Sequence, residues 1–122
     1  MSNSISKYFS KEQSEEGIQA FIPDPFTREP SKDWLRIHGD DSERYEDAMH
    51  DYRRKLSKLK EDDKEERKNA DLEFHADLVS DWGDFDEKFD RKVLIESMRN
   101  GPLLKDFIFS VSRDRSLFLK KT

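Results

Sequence analysis

The chain has no cysteine, and only four glycines and four prolines in 122 residues. Without cysteine, disulfides, thiol catalysis and cysteine-ligated zinc are excluded. The glycines stand singly at positions 17, 39, 83 and 101, a spacing that builds no phosphate-cradling loop. No apolar run approaches the ~20 residues of a membrane span, so no membrane partner is expected. Met1 to Gln13 lacks the apolar segment of a secretory leader. An excess of basic charge is also missing. Lys and Arg number 23 against 28 Asp and Glu, a net charge of −5. That balance speaks against a nucleic-acid partner, and it is small for a strongly acidic mimic of nucleic acid.

Charged residues are plentiful, at 42% against 33% hydrophobic. This proportion predicts a thin core, long solvated helices and a surface in want of a partner. The length suits one domain. Nine Phe, two Trp and three Tyr supply the apolar bulk.

No catalytic set emerges from the side chains present. His38, His50 and His75 form no metal-ligand spacing. The acidic run Asp81 to Asp86 fails as a calcium loop: starting at Asp84 puts Phe89 where glycine is needed, and starting at Asp81 puts Gly83 at position 3, where an oxygen ligand is needed. No serine sits in a G-x-S-x-G turn. Ser97 and Ser110 lie in helical patterns. The expectation is a protein that is not an enzyme, with no cofactor and no metal.

The pattern predicts a mainly α protein with a small N-terminal β-hairpin (α+β), its roughly four helices packed as a small bundle. Residues 1–16 read as a flexible N-terminal arm, either disordered or a short helix. Residues 17–122 read as a single domain, with a β-hairpin over 17–39 and helices over 40–122. Gly17 to Ile22 and Trp34 to His38 are the strand candidates, joined by a loop holding Pro23, Pro25 and Pro30. Asp40 and Glu43 have capping-box spacing and open a helix near 41–60 carrying Tyr45, Ala48, Met49, Tyr52, Leu56 and Leu59. Glu61 to Lys68 is either a connection or a solvated stretch of one longer helix. A second helix is expected from Lys64 to Trp82, with Leu72, His75, Val79 and Trp82 on one stripe and Gly83 as its stop. Asp84 to Phe89 reads as a loop. Asp90 caps a third helix that Asn100-Gly101-Pro102 ends, and a fourth is expected over 103–119.

The series Phe74, Leu78, Trp82, Phe85 and Phe89 continues past the second helix. It is either core or a groove for an apolar partner helix. Charge is also uneven. Residues 69–102 hold nine acids and four bases, a net of −5, and residues 103–122 hold five bases and two acids, a net of +3. Either the bases finish the last helix, or they draw this tail to another subunit's acidic face.

Two segments resemble a known family. The first runs Glu16-Gly17, then Phe21-Ile22-Pro23-Asp24-Pro25-Phe26-Thr27-Arg28-Glu29-Pro30 and Asp33-Trp34-Leu35-Arg36-Ile37-His38-Gly39-Asp40-Asp41-Ser42. The second runs Leu78-Val79-Ser80-Asp81-Trp82-Gly83-Asp84-Phe85, Phe89, Leu94-Ile95, Arg99-Asn100-Gly101-Pro102-Leu103 and Ser116-Leu117-Phe118. In this order they resemble the tail assembly chaperones of long-tailed (siphophage-type) bacteriophages or prophages, with Arg28 and Gly101 as departures. The resemblance implies a non-catalytic protein in the cytoplasm of the bacterial host. It implies binding to the tape measure protein, which is kept soluble for tail tube assembly, with the tail tube protein as a further candidate partner. It also implies a homo-oligomer. The residues expected to bind protein are Trp34, Ile37, Phe74, Leu78, Trp82, Phe85 and Phe89, with the Trp34–Ile37 strand serving as a pairing edge. The alternative is a minor structural tail or head–tail connector protein of the virion; a nucleic-acid-mimicking inhibitor is a third reading, motivated by the acidic stretch 69–102.

Overall fold

A computed structural model describes residues 3–120. Of the arm and body expected from the sequence, residues 1, 2, 121 and 122 lie outside the described residues. A 3-10 turn, Ile5–Tyr8, precedes α1 (Lys11–Glu16). The hairpin follows as β1 (Ile18–Pro23) and β2 (Pro30–Ile37). Next come α2 (Glu43–Ser57), α3 (Lys64–Asp77), β3 (Val79–Gly83), α4 (Arg91–Asn100) and α5 (Pro102–Arg113). A second 3-10 turn spans Arg115–Phe118. The class is α+β, as the sequence predicts, but the sheet has three strands rather than two.

The strand order is β1-β2-β3, antiparallel throughout. Leu35 stands opposite Ala20 on one side and Trp82 on the other. This corrects two expectations. Residues 79–83 are strand, not the end of a helix. The Trp34–Ile37 segment is no pairing edge, because β2 is the central strand and both its sides are bonded. Leu78 ends α3, and the chain turns at once into Val79. The competing force is tertiary: β2 leaves a row of backbone groups that β3 satisfies. A two-stranded hairpin is marginal alone, and the third strand gives it company.

Local chemistry explains the helix bounds. The cap of α2 is Ser42, not Asp40: its Oγ accepts from Tyr45 N at 3.1 Å and donates to Gly39 O at 2.7 Å. Glu43 and Glu46 fill the first turn and Arg54 and Lys55 the last, which matches the helix dipole. The charged stretch after Ser57 is a connection. Asp63 Oδ2 accepts from Lys60 N at 2.8 Å, and Arg67 Nε donates back to Lys60 O at 2.9 Å. Thus α2 and α3 lie antiparallel, with Arg44 Nη1 donating to Asp77 O at the far end. Phe74 of α3 packs against Tyr45 and Tyr52 of α2, with ring centroids 5.5 and 5.4 Å away. Asp90 caps α4 through Lys92 N at 2.8 Å, and Pro102 opens α5. The last helix stops at Arg113, short of the expected 119, and the following 3-10 turn carries Phe118 into the core.

The core lies between the inner sheet face and the helices. Leu35, Ile37, Leu78, Leu94, Met98, Ile108 and Phe118 are almost wholly enclosed. Each such side chain contributes on the order of 1.5–3 kcal/mol on burial. The arm is held too. Ser14 is buried, His38 Nδ1 lies 3.0 and 3.2 Å from the Glu15 and Ser14 carbonyls, and Gly39 N donates to Ser14 O.

Two substitutions separate core from tip. Leu78→Ala, inside the core, is expected to cost ~2–5 kcal/mol. Phe26→Ser, at the exposed hairpin tip, is expected to stay within about 0.5 kcal/mol of the parent. Urea unfolding followed by circular dichroism checks both, and equal losses would contradict this division.

Candidate protein-interaction surface

The seven residues expected to bind protein do not share a surface. Alternation along β2 sends Trp34 and Ile37 to opposite faces, because they are three residues apart. Ile37 faces the core, as do Phe74 and Leu78, and these three are unavailable to a partner in the folded protein. Their spacing on a helix or strand reflects internal packing. Trp34 lies on the outer sheet face, where it stands opposite Phe21 of β1. Its indole covers Gly83: a Cβ built there would come within 2.3–2.4 Å of the ring. The outer face thus carries a neighbouring pair of aromatic residues, and Phe21 is half exposed.

Trp82, Phe85 and Phe89 do come together. The Trp82 ring meets Phe85 edge-on at 5.5 Å and Phe89 edge-on at 5.3 Å. Its Nε1 donates to Glu87 O at 2.9 Å, which draws the loop between β3 and α4 over the indole. Asp84 takes a positive φ of 67° to make this turn. Trp82 also borders an apolar groove of about 290 Å³, together with Ile22, Leu35, Phe85, Val93 and Leu104. Asp33 and Glu87 are its acidic members. Sequence reasoning missed Ile22, Val93 and Leu104, which converge from β1, α4 and α5.

The hairpin tip beside this groove is ordered by its own polar groups. Asp24 Oδ1 accepts from Phe26 N at 2.8 Å and Thr27 N at 3.0 Å. Those bonds hold the Asp24 carboxyl below its usual pKa. Arg28 takes a positive φ of 63°, and Asp24 N closes the loop on Glu29 O at 2.8 Å. Phe26 is 93% exposed on this framed loop. An aromatic with no strand or helix partner between prolines was the available signal for it.

At the other end of the sheet lies a polar cavity of about 560 Å³, lined by His38, Arg44 and the acids Glu15, Glu43, Asp47, Asp51 and Asp77. His38 is buried beneath it. Both neighbours of Nδ1 are carbonyl oxygens, so Nδ1 carries the hydrogen; Nε2 then accepts from Ser80 Oγ, 2.7 Å away. Burial lowers the His38 pKa from its usual value, and the positive charges of Arg44 and Arg36 add to this against the two carbonyl bonds. Among the described residues, no group of three or more His, Asp or Glu is placed to hold a metal ion.

The basic tail is used within the chain. Lys105 Nζ pairs with Asp71 at 2.9 Å, and Arg115 Nε pairs with Asp40 at 2.7 Å. Arg113 also approaches Asp40, at 3.6 Å. The charge asymmetry of the sequence is thus partly neutralised inside one subunit.

No family model, no curated protein and no solved structure matches the chain.

Two measurements follow from this geometry. Gly83→Ala must displace the Trp34 ring, at a cost of about 1–3 kcal/mol. A red-shifted tryptophan emission is expected, and an unchanged spectrum would contradict the stacked arrangement. His38 binds a proton less readily folded than unfolded. Its contribution is therefore full above about pH 6.5, the unfolded value, and is lost as pH falls below it toward the lowered folded value. His38→Asn keeps a donor toward the two carbonyls and removes this titration. Urea midpoints at pH 7.5 and 5.5 should differ less in the variant than in the parent.

Proposed function

We propose that the protein is a phage tail assembly chaperone that acts in the bacterial cytoplasm by binding the tape measure protein, without catalysis. The observation that carries this reading is the aromatic surface at one end of the sheet. Phe26 on its framed tip, Phe21 and Trp34 on the outer face, and the Trp82–Phe85–Phe89 cluster lie on a body of net charge −5. Exposed aromatics engage an apolar helical client, and the surrounding charge keeps the pair in solution. The order of the two motif segments supports the same reading. Phe26 and Trp34 are the anchors toward the client, because aromatic residues presented on rigid elements lose little entropy on docking.

A second reading is a minor tail or head–tail connector protein of the virion. The outer edges of β1 and β3 favour it, since neither has a strand partner among the described residues and sheet edges pair readily between subunits. Mass spectrometry of purified particles separates the two: the chaperone is absent from mature virions and the connector is present.

Co-expression with the tape measure protein is expected to move that client into the soluble fraction. Phe26→Ser combined with Trp34→Ser should lower the recovered complex by roughly tenfold or more. An insoluble client beside a folded, abundant partner would overturn the chaperone reading.

A further inference from the structure

The joint between α4 and α5 is a single residue. Helix α4 ends at Asn100 and α5 begins at Pro102, so only Gly101 lies between them. Both helices are anchored on either side of it: Leu94 and Met98 of α4 and Ile108 of α5 are enclosed in the core. Asn100 itself is exposed. Of the three asparagines it alone precedes a glycine, since Asn3 is followed by Ser4 and Asn69 by Ala70. That neighbour matters chemically. A glycine nitrogen has no Cβ beside it and a freely turning backbone, so it reaches the side-chain carbonyl carbon of the residue before it with little hindrance.

We infer that Asn100–Gly101 is a site of spontaneous deamidation, held in check by the last turn of α4. In the first step the Gly101 nitrogen gives up its hydrogen and bonds to Cγ of Asn100. The Cγ–Nδ2 bond breaks, and Nδ2 leaves with that proton as ammonia. Water then opens the cyclic imide at one carbonyl or the other. One opening gives aspartate, and the other gives isoaspartate, whose main chain runs through the side-chain carbon. Water is the only co-reactant. The fold opposes the first step at both reacting groups. Gly101 N donates to Ser97 O at 2.8 Å, so the hydrogen that must leave is already engaged. Asn100 Nδ2 donates to Glu96 O at 2.9 Å, which turns the amide back along the helix. Both bonds belong to the exposed terminal turn of a helix of 10 residues, where local opening costs least. Conversion therefore passes through the opened turn, at a rate set by how often it opens.

The change runs one way and falls on a sensitive joint. Either product carries a carboxylate in place of the amide, and a carboxylate cannot donate to Glu96 O. Isoaspartate also adds a carbon to the main chain where no loop exists to absorb it. Helix α5 hangs on this joint. It brings Leu104, Ile108 and Val111 to the core, and its Ser112 Oγ donates to His38 O at 2.7 Å. A longer tether shifts the start of α5 against those fixed contacts, so conversion loosens the last helix. The inference is independent of the client reading, because it concerns the covalent chemistry of the chain alone.

The test is prolonged incubation of the full folded chain in mildly alkaline buffer. Ion-exchange chromatography reads the added negative charge, and peptide mapping by mass spectrometry places it. Asn100 should convert to isoaspartate and aspartate ahead of Asn3 and Asn69 in the same sample. In the chain unfolded by guanidinium chloride, conversion at Asn100 should be faster by roughly tenfold or more, because the restraining turn is gone. Asn100→Gln keeps an amide donor but would have to close a larger ring, so the new charge species should be absent. The converted fraction, separated by ion exchange, should unfold at a lower urea midpoint than the unconverted one. A folded chain in which Asn100 converts no more than Asn69 overturns the site. Equal rates in the folded and unfolded chain overturn the restraint by α4, and a converted form as stable as the parent overturns the loosening of α5.

Discussion

The fold depends on three consecutive residues, His38, Gly39 and Asp40, where the central strand leaves the sheet. The His38 amide donates to Leu78 O, and its carbonyl accepts from Ser112 Oγ at 2.7 Å. The Gly39 amide donates to Ser14 O, and its carbonyl accepts from Ser42 Oγ. The Asp40 amide donates to Ser112 O. The arm, the start of β3, the cap of α2 and the end of α5 are therefore tied to one short stretch of backbone. Burial here excludes water, so each of these polar groups needs a protein partner. Three buried serines, Ser14, Ser42 and Ser112, meet most of that need. Gly39 leaves them room: a Cβ at this position would fall 2.1 Å from Ser14 Oγ.

This junction divides the molecule by chemistry. One end of the sheet is polar, with His38 buried under a pocket of acids and Arg44 and its pKa lowered by that burial. The other end is aromatic, with the groove, the framed Phe26 tip and the Phe21–Trp34 pair. The charged helices α2 and α3 add little to specific binding, since their ion pairs are mostly solvated. They shield the core through Tyr45 and Tyr52 over Phe74.

Much of the local structure was legible in the sequence. The hairpin shows in alternation and its three prolines, α2 in its periodic apolar residues and end charges, and the α4–α5 break in Gly101-Pro102. The third strand was hidden by coincidence. Leu72, His75, Val79 and Trp82 happen to keep helical spacing across the boundary at Leu78, and no glycine or proline marks the turn. Strand formation there is decided by a partner about 45 residues earlier in the chain, which periodicity cannot register. The same limit applies to the candidate surface. Phe74 and Leu78 are large and correctly spaced, but only the packing of α2 and β2 shows that they point inward. Trp34 and Ile37 were separable in principle, because a strand cannot place residues three apart on one face. The groove was not, because Ile22, Val93 and Leu104 come from three distant segments.

The Asp24-framed tip bears on the heat of binding as well as on its geometry. Phe26 stands on a loop whose backbone is already fixed by Asp24, Thr27 and Glu29. A partner that covers it orders no loop in the process. The heat-capacity change of that encounter then reports the apolar area hidden, free of the larger contribution that coupled folding brings. The tip behaves as a rigid probe of whatever surface it touches.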